Sequence, residues 1–316
     1  MDNLIVSLIT SAEFVDLYLG NDFADVKGLR GAGQLVAPAP ESWTSEIEAL
    51  RCQCHSEYQD GQDPEFSLVV DGVILRVTQI DDVFSGNIFV LRKSNAEIRD
   101  FNKLGFPHEV ANALLAPSLR GLVMICGDMN TGKTSTAASM IVERLLRHGG
   151  IAFAVEDPRE TNLNGQHGSG RCIQVRTSRR TGGYSEALTR TLRTGADLVL
   201  IGEIRDEDTA YQACKASLNG HLVITTIHSK TGTQAIEKLV TLAKSKAQNA
   251  YEVVAEGLQA VVCQTLDLNG DTRHLSAESL LLTENDAPSI RDKIRRQTIH
   301  LVEEDITRQK RASLWG

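Results

Sequence analysis

In the second half of the chain, short apolar runs alternate with stretches of helical spacing. The runs are LVMIC (122–126), IAFAV (151–155), LVLIG (198–202) and LVITTI (222–227). Continuous apolar runs of this length predict strands buried on both faces. Between the first two, Ala137, Ile141 and Leu145 recur every fourth position, the spacing of one helical face. His148-Gly149-Gly150 stops that helix, and Ser185 is placed to cap the next, SEALTRTL. Strands alternating with helices predict a parallel sheet. In VEDP and LVLIGEIRD, acids follow the strands directly, where open α/β sheets place their chemistry. Further on, Asn269-Gly270 predicts a hairpin turn between VVCQTLDL and RHLSAESLLL, and the charged tail from Ile290 is expected to be helical.

The first 95 or so residues follow another pattern. Leu4 to Leu8 opens a short helix or strand. Two prolines precede SWTSEIEALRCQC, where Ser42 or Thr44 is expected to cap a helix from Ser45. FSLVVDGVILRVTQI divides into two strands at Asp71-Gly72, and NIFVLRK makes a third. These elements describe a smaller α+β domain over 1–95. A linker or short helix spans Ser94 to Pro117, and residues 96–316 form the α/β domain with a helical C-terminal region.

Composition narrows the picture. With 316 residues there is room for two domains and a sizeable core. A formal charge of -8 argues against a large nucleic-acid-binding surface, which needs clustered Lys and Arg. The six cysteines include no CxxC pair, so neither a zinc module nor a disulfide framework is expected, and reduced thiols in a cytosolic setting are. No apolar run approaches the ~18 residues of a membrane span. MDNLIVSLIT lacks the basic start of a signal peptide. Any membrane association is therefore expected to be peripheral.

The candidate chemistry centres on GDMNTGKTS (Gly127, Asp128, Met129, Asn130, Thr131, Gly132, Lys133, Thr134, Ser135). Gly127, Gly132, Lys133 and Thr134 fit G-x-x-x-x-G-K-[ST], with a strand before the loop and a helix after it. Backbone amides of such a loop ring a β-phosphate, the lysine reaches the β- and γ-oxygens, and the hydroxyl of Thr134 serves Mg²⁺. Asn130 stands where glycine is usual. It is the non-glycine residue that best tolerates positive φ, so it is expected to adopt that conformation. Met129 is bulkier and is expected to touch the nucleotide or a neighbouring subunit.

Hydrolysis also needs a group to position water. Glu203, after the strand 198–202, is placed to hold the Mg²⁺ shell through water. Glu156 and Glu160 are both candidates for the general base, and their spacing does not choose between them. His221 and His228 bracket LVITTI; on one strand they would lie about 23 Å apart, too far to share a metal. His228, at the strand's C-terminal end, is the one placed to meet a γ-phosphate. The arginines from Arg171 to Arg193, together with Arg76 and Arg92 of the first domain, are either salt-bridged surface or reach phosphate as arginine fingers do.

Four boxes now stand in order: GDMNTGKT (Walker A), AVEDPRE (Asp box), ADLVLIGEIRDEDTA (Walker B) and GHLVITTIH (His box). In this the sequence resembles the secretion ATPase superfamily, the motors of type IV pili and of type II and type IV secretion. APSIRDKIRRQ resembles the C-terminal motif of the twitching-motility, PilT-type branch, and a tetracysteine insertion like that of assembly motors does not occur. The resemblance implies a RecA-like P-loop core behind a smaller PAS-like α+β domain. It implies catalytic Glu160, Walker B Glu203, paired His221 and His228, and nucleotide-approaching Arg76 and Arg92. It further implies ATP and Mg²⁺ as cofactors, a homo-hexameric ring, docking on an inner-membrane platform protein, and a cytoplasmic place at the inner-membrane face. The expected function is an ATP-hydrolysing motor for pilus retraction or related secretion-machine dynamics. A type IV secretion or conjugation ATPase, and a nucleic-acid motor on a RecA-like core, are the alternatives.

Overall fold

The computed structural model describes residues 7–84, 86–94, 96–269 and 272–315. It divides into two compact units. The first comprises Met1–Ala96, Asp157–Asn162 and Thr177–Tyr184; the second comprises Glu97–Glu156, Leu163–Arg176 and Ser185–Gly316.

The first unit runs α1 (Leu8–Ser11), β1 (Asp16–Leu19), β2 (Ala24–Lys27), β3 (Val36–Pro38), α2 (Thr44–Gly61), β4 (Glu65–Val70), β5 (Val73–Asp82) and β6 (Gly86–Lys93). The strands form an antiparallel sheet in the order β3-β2-β1-β6-β5-β4. Trp43, Ile47, Leu50 and Cys54 recur every three or four residues. That spacing lays one face of α2 on Leu17, Leu75, Phe89 and Leu91 of the sheet. The β4–β5 hairpin turns where the sequence predicts, with Asp71 at φ 47° and Gly72 at φ 78°. The expected caps of α2 do not form. The chain enters through a short 3₁₀ turn, Trp43 takes the N-cap position without a side-chain bond, and the Thr44 hydroxyl donates to the Glu41 carbonyl at 2.6 Å. Of the apolar start at Leu4–Leu8, residues 4–6 lie outside the described residues; Leu8 begins α1.

The second unit contains α3 (His108–Leu115), β7 (Gly121–Gly127), α4 (Lys133–His148), β8 (Ile151–Val155), β9 (Gly165–His167) and β10 (Gly170–Val175). Then come α5 (Gly183–Thr191), whose first two residues belong to the first unit, β11 (Leu198–Ile201), α6 (Glu207–Leu218), β12 (Leu222–His228) and α7 (Gly232–Lys244). It closes with α8 (Ala250–Gly257), β13 (Leu258–Asn269), β14 (Thr272–Leu281), α9 (Ala287–Arg295) and α10 (Val302–Trp315).

The sheet order is β14-β13-β7-β12-β11-β8-β10-β9. Six parallel strands from β13 to β10 are flanked by antiparallel β14 and β9. All seven residues of β7 are buried, and Ala137, Ile141 and Leu145 of α4 join Val123, Ile125 and Leu198 in one core. The mixed α/β class and the mostly parallel sheet follow the expectation from the buried runs. Helix α4 ends at Gly149, as predicted. Ser185 is not a cap: α5 begins at Gly183, after Gly182 in a left-handed conformation, and Ser185 lies inside it. The predicted turn at Asn269-Gly270 involves Gly270, outside the described residues; the flanking strands pair antiparallel, with Asn269 opposite Thr272. The C-terminal region is helical, and its first helix starts at Ala287 rather than Ile290.

Candidate functional site

Parallel pairing brings the C-terminal ends of β7, β11 and β12 to one rim of the second unit's sheet, and the loop 128–132 leaves β7 at that rim. The loop conformation follows from its residue types. Gly127 has φ 154°, Asn130 φ 61° and Gly132 φ 83°. Asn130 thus adopts the left-handed conformation expected of it. Gly132 is the N-cap of α4, which begins without a side-chain cap and without an acid in its first turn. A helix start with those features presents amide hydrogens and the positive end of its dipole to whatever lies in front of it.

The buried Lys133 turns back into the loop. Its Nζ donates to the Asp128 carbonyl at 2.6 Å and stands 3.4 Å from Nδ1 of His228. On the other side of the imidazole, Nε2 of His228 is 3.4 Å from Oε1 of Glu203. A lysine ammonium can only donate. Nδ1 is therefore assigned as acceptor and Nε2 as the protonated nitrogen facing the carboxylate. Burial holds the imidazole below the ordinary histidine range, Lys133 adds to that, and Glu203 opposes it. The result is a neutral imidazole set between a lysine and a carboxylate.

Backbone packing fixes where Glu203 stands. The Ile204 amide donates to the Thr226 carbonyl at 2.9 Å, and the Thr226 hydroxyl donates to the Gly202 carbonyl at 2.6 Å. Oε2 of Glu203 accepts from Arg205 Nε at 2.7 Å. Next to it, Glu156 is buried at the end of β8 and accepts from Gln174 Nε2 at 2.9 Å.

The predicted site residues thus divide. Lys133, Glu203 and His228 come together with the loop 127–134. Met129 is exposed at the loop tip. The Ser135 hydroxyl accepts from the Glu97 amide at 3.1 Å, which commits it to its own unit's backbone. His221 stands at the opposite end of β12, its Nδ1 facing the Ala196 carbonyl at 3.2 Å. Within this chain it does not join His228, because a strand carries its two ends to opposite rims.

Glu160 belongs to the first unit. Its carboxylate pairs with Arg76 Nη1 at 2.8 Å, and its carbonyl accepts from the Ser94 hydroxyl at 2.5 Å. Arg92 pairs with the buried Asp16 at 2.7 Å. The central arginines are largely tied locally: the Arg179 amide to Asp63, Arg180 to the Asp60 carbonyl, Arg190 to Glu186 and Arg171 to Gln166. The sequence reading missed Gln264, a fully buried polar residue of β13 that reaches the loop at Thr131. Its one sequence signal is a lone amide inside the run AVVCQTL.

Thr134 and Glu203 offer a hydroxyl and a carboxylate, hard oxygen donors of the kind Mg²⁺ takes alongside phosphate oxygens. Among the described residues no helix is long and apolar enough to cross a membrane.

A strand, a left-handed glycine loop, a lysine at the helix start and a carboxylate at a neighbouring strand end define a P-loop nucleoside triphosphatase. The family described as Type II/IV secretion system protein matches residues 39–303. The chain belongs to this family and is an ATP hydrolase of its kind. It is 29% identical over 247 residues to the Type IV pilus retractation ATPase PilT of Pseudomonas aeruginosa, covering 77% of this chain and 69% of that one. It is 30% identical over 214 residues to the Type IV pilus ATPase PilU of the same organism, covering 67% and 54%. The match therefore spans only about half of PilU's length. A crystal structure of the pilus retraction motor PilT with bound ADP superposes with a TM-score of 0.73 at 26% identity, over 95% of this chain and 88% of that one. The ATPase DotB of Legionella pneumophila shares the fold, with a TM-score of 0.71 at 19% identity over 92% and 84%.

Proposed function

We propose that this protein is a ring-forming, homo-hexameric motor that couples ATP hydrolysis to type IV pilus retraction or to the closely related dynamics of a secretion machine, working at the cytoplasmic face of the inner membrane against a platform protein. The observation that carries the reading is the cluster of Lys133, His228 and Glu203 at the mouth of the 127–132 loop. Lys133 and the loop amides would hold the β- and γ-phosphates. Thr134 and, through water, Glu203 would hold Mg²⁺, which when bound neutralises phosphate charge. His228 links the phosphate-binding lysine to the carboxylate, so that occupancy of the loop is felt at Glu203. Within the first unit, Glu160 keeps the proposed role of water-positioning base, and its partner Arg76 and then Arg92 keep that of charge-stabilising cations. The likeness to the PilT structure with bound ADP supports ATP as the nucleotide, and the names of the relatives support the pilus.

The test is steady-state phosphate release by the wild type and by Lys133→Ala, with the mass of the assembly measured by light scattering. A few kcal/mol of lost transition-state stabilisation lowers turnover by orders of magnitude. The expected assembly is about six times the 34.5 kDa chain. Turnover in Lys133→Ala within threefold of wild type would remove the assigned site, and a monomer at all nucleotide conditions would remove the ring.

A further inference from the structure

Gln264 sits in β13, the strand beside β7, with its side chain fully buried. Its Nε2 donates to the carbonyl oxygen of Thr131 at 2.5 Å. Its own backbone carbonyl packs against the other end of the loop, so closely that a Cβ on Gly127 would lie 2.3 Å from it. One residue thus touches both the first glycine of the loop and the peptide leading into the second.

We propose that Gln264 is a positioning residue for the phosphate loop: by holding the Thr131 carbonyl against β13, it aims the Gly132 amide into the concavity where the nucleotide's phosphates bind. The inference rests on the nucleotide reading above. A peptide group is planar and trans, so the carbonyl of Thr131 and the N–H of Gly132 point in opposite directions. Fixing one fixes the other. Without an anchor this peptide has unusual freedom, because it leads into a glycine with a left-handed φ of 83°. The other side of the loop is pinned in the same way: the Asp128 carbonyl accepts from the Thr131 hydroxyl at 2.9 Å and from Lys133 Nζ at 2.6 Å.

The alternative is that Gln264 merely fills space. Among the described residues, its buried Oε1 has no hydrogen-bond partner. A buried acceptor left unmatched is costly, and an apolar side chain of similar length would fill the volume without that cost. Among the described residues, what the strand gains from glutamine here is the donation to Thr131.

The experiment titrates fluorescent ADP into the full chain and measures ATP turnover for wild type, Gln264→Met and Lys133→Ala. Met keeps length and volume but cannot donate. For Gln264→Met, ADP affinity should fall at least tenfold and KM for ATP should rise by a similar factor. The kcat should stay within threefold, because a loop amide held in place serves ground state and transition state alike. A space-filling role would shift the melting temperature and leave both nucleotide constants unchanged. ADP affinity of folded Gln264→Met within twofold of wild type therefore overturns the proposal. If Gln264→Met does not fold, Gln264→Asn, whose amide falls one methylene short of Thr131, is read against the same thresholds. Lys133→Ala separates the two claims. If it binds ADP as wild type does, the nucleotide reading is wrong and this role falls with it. If it loses ADP while Gln264→Met keeps it, only the positioning role is lost.

Discussion

Replacing Gly127 by Ala should be far more damaging than replacing Gly132 by Ala, although both are glycines of the same loop. A Cβ on Gly127 would lie 2.3 Å from the Gln264 carbonyl oxygen and 2.7 Å from the Thr131 hydroxyl. The first contact is about 1 Å shorter than the ~3.3 Å of a close C···O approach. The obstructing atom is backbone of β13, a strand paired on both sides, so it cannot swing aside as a side chain would. Overpacking of this kind costs roughly 1–3 kcal/mol. The φ of 154° adds about 1–3 kcal/mol for a non-glycine residue. Gly127→Ala is therefore expected to lose about 2–6 kcal/mol, a large part of the ~5–15 kcal/mol that holds a protein folded.

At Gly132 the nearest atom to a new Cβ is Gln264 Nε2 at 3.5 Å, an ordinary contact, and φ is 83°. Only the conformational cost of roughly 1–2 kcal/mol remains. Urea unfolding of both variants, followed by circular dichroism, measures the difference. Equal losses, or a loss below about 1 kcal/mol for Gly127→Ala, would refute the close approach of β13 to the loop.

Two other outcomes follow from ionisable groups. Burial alone would raise the pKa of Glu46, but bonds from the Ser7 hydroxyl and the Leu8 and Ile9 amides outweigh it and hold the carboxyl below its ordinary value. Its contribution is complete above the unfolded carboxyl's pKa of about 4.3 and is lost as pH falls through the lower folded value. Amide exchange at Leu8 and Ile9, corrected for intrinsic rate, should therefore accelerate only below about pH 4.3, and Glu46→Gln should abolish that pH step. Among the thiols, Cys52 is exposed while the other five are buried, and burial pushes Cys54, Cys172 and Cys214 up to about 12. A disulfide reagent should find one fast thiol in the native protein, and Cys52→Ser should remove that phase.

Much of the second unit was legible because buried parallel strands are written as unbroken apolar runs, and β7, β8, β11 and β12 fall on the four runs. The left-handed Asn130 was legible for a local reason, since only a few residue types tolerate that φ. The caps were not. Whether Thr44 or Ser185 caps a helix depends on how the preceding backbone arrives, and in both cases a turn ahead of it sets the start elsewhere. Gln264 was invisible because its side-chain bond to Thr131 spans 133 positions of sequence. A lone amide in an apolar run carries no mark of what it will meet.

The two glutamates show the same limit in the chemistry. Glu203 comes directly after the run 198–202 and Glu160 five residues after the run 151–155, and neither position tells what the carboxylate will meet. Glu203 is reached through β11 and shares His228 with Lys133, inside the second unit. Glu160 is carried by a segment that belongs with the first unit, and its carboxylate faces Arg76. Arg76 is the direct cross-strand neighbour of Arg92. Like charges so placed repel unless each is matched, and here Glu160 matches one while Asp16 matches the other. Any change of charge at residue 160 therefore also leaves Arg76 opposed to Arg92. Glu160 and Arg76 act on whatever they meet as a pair, and a role given to one of them has to be argued for both.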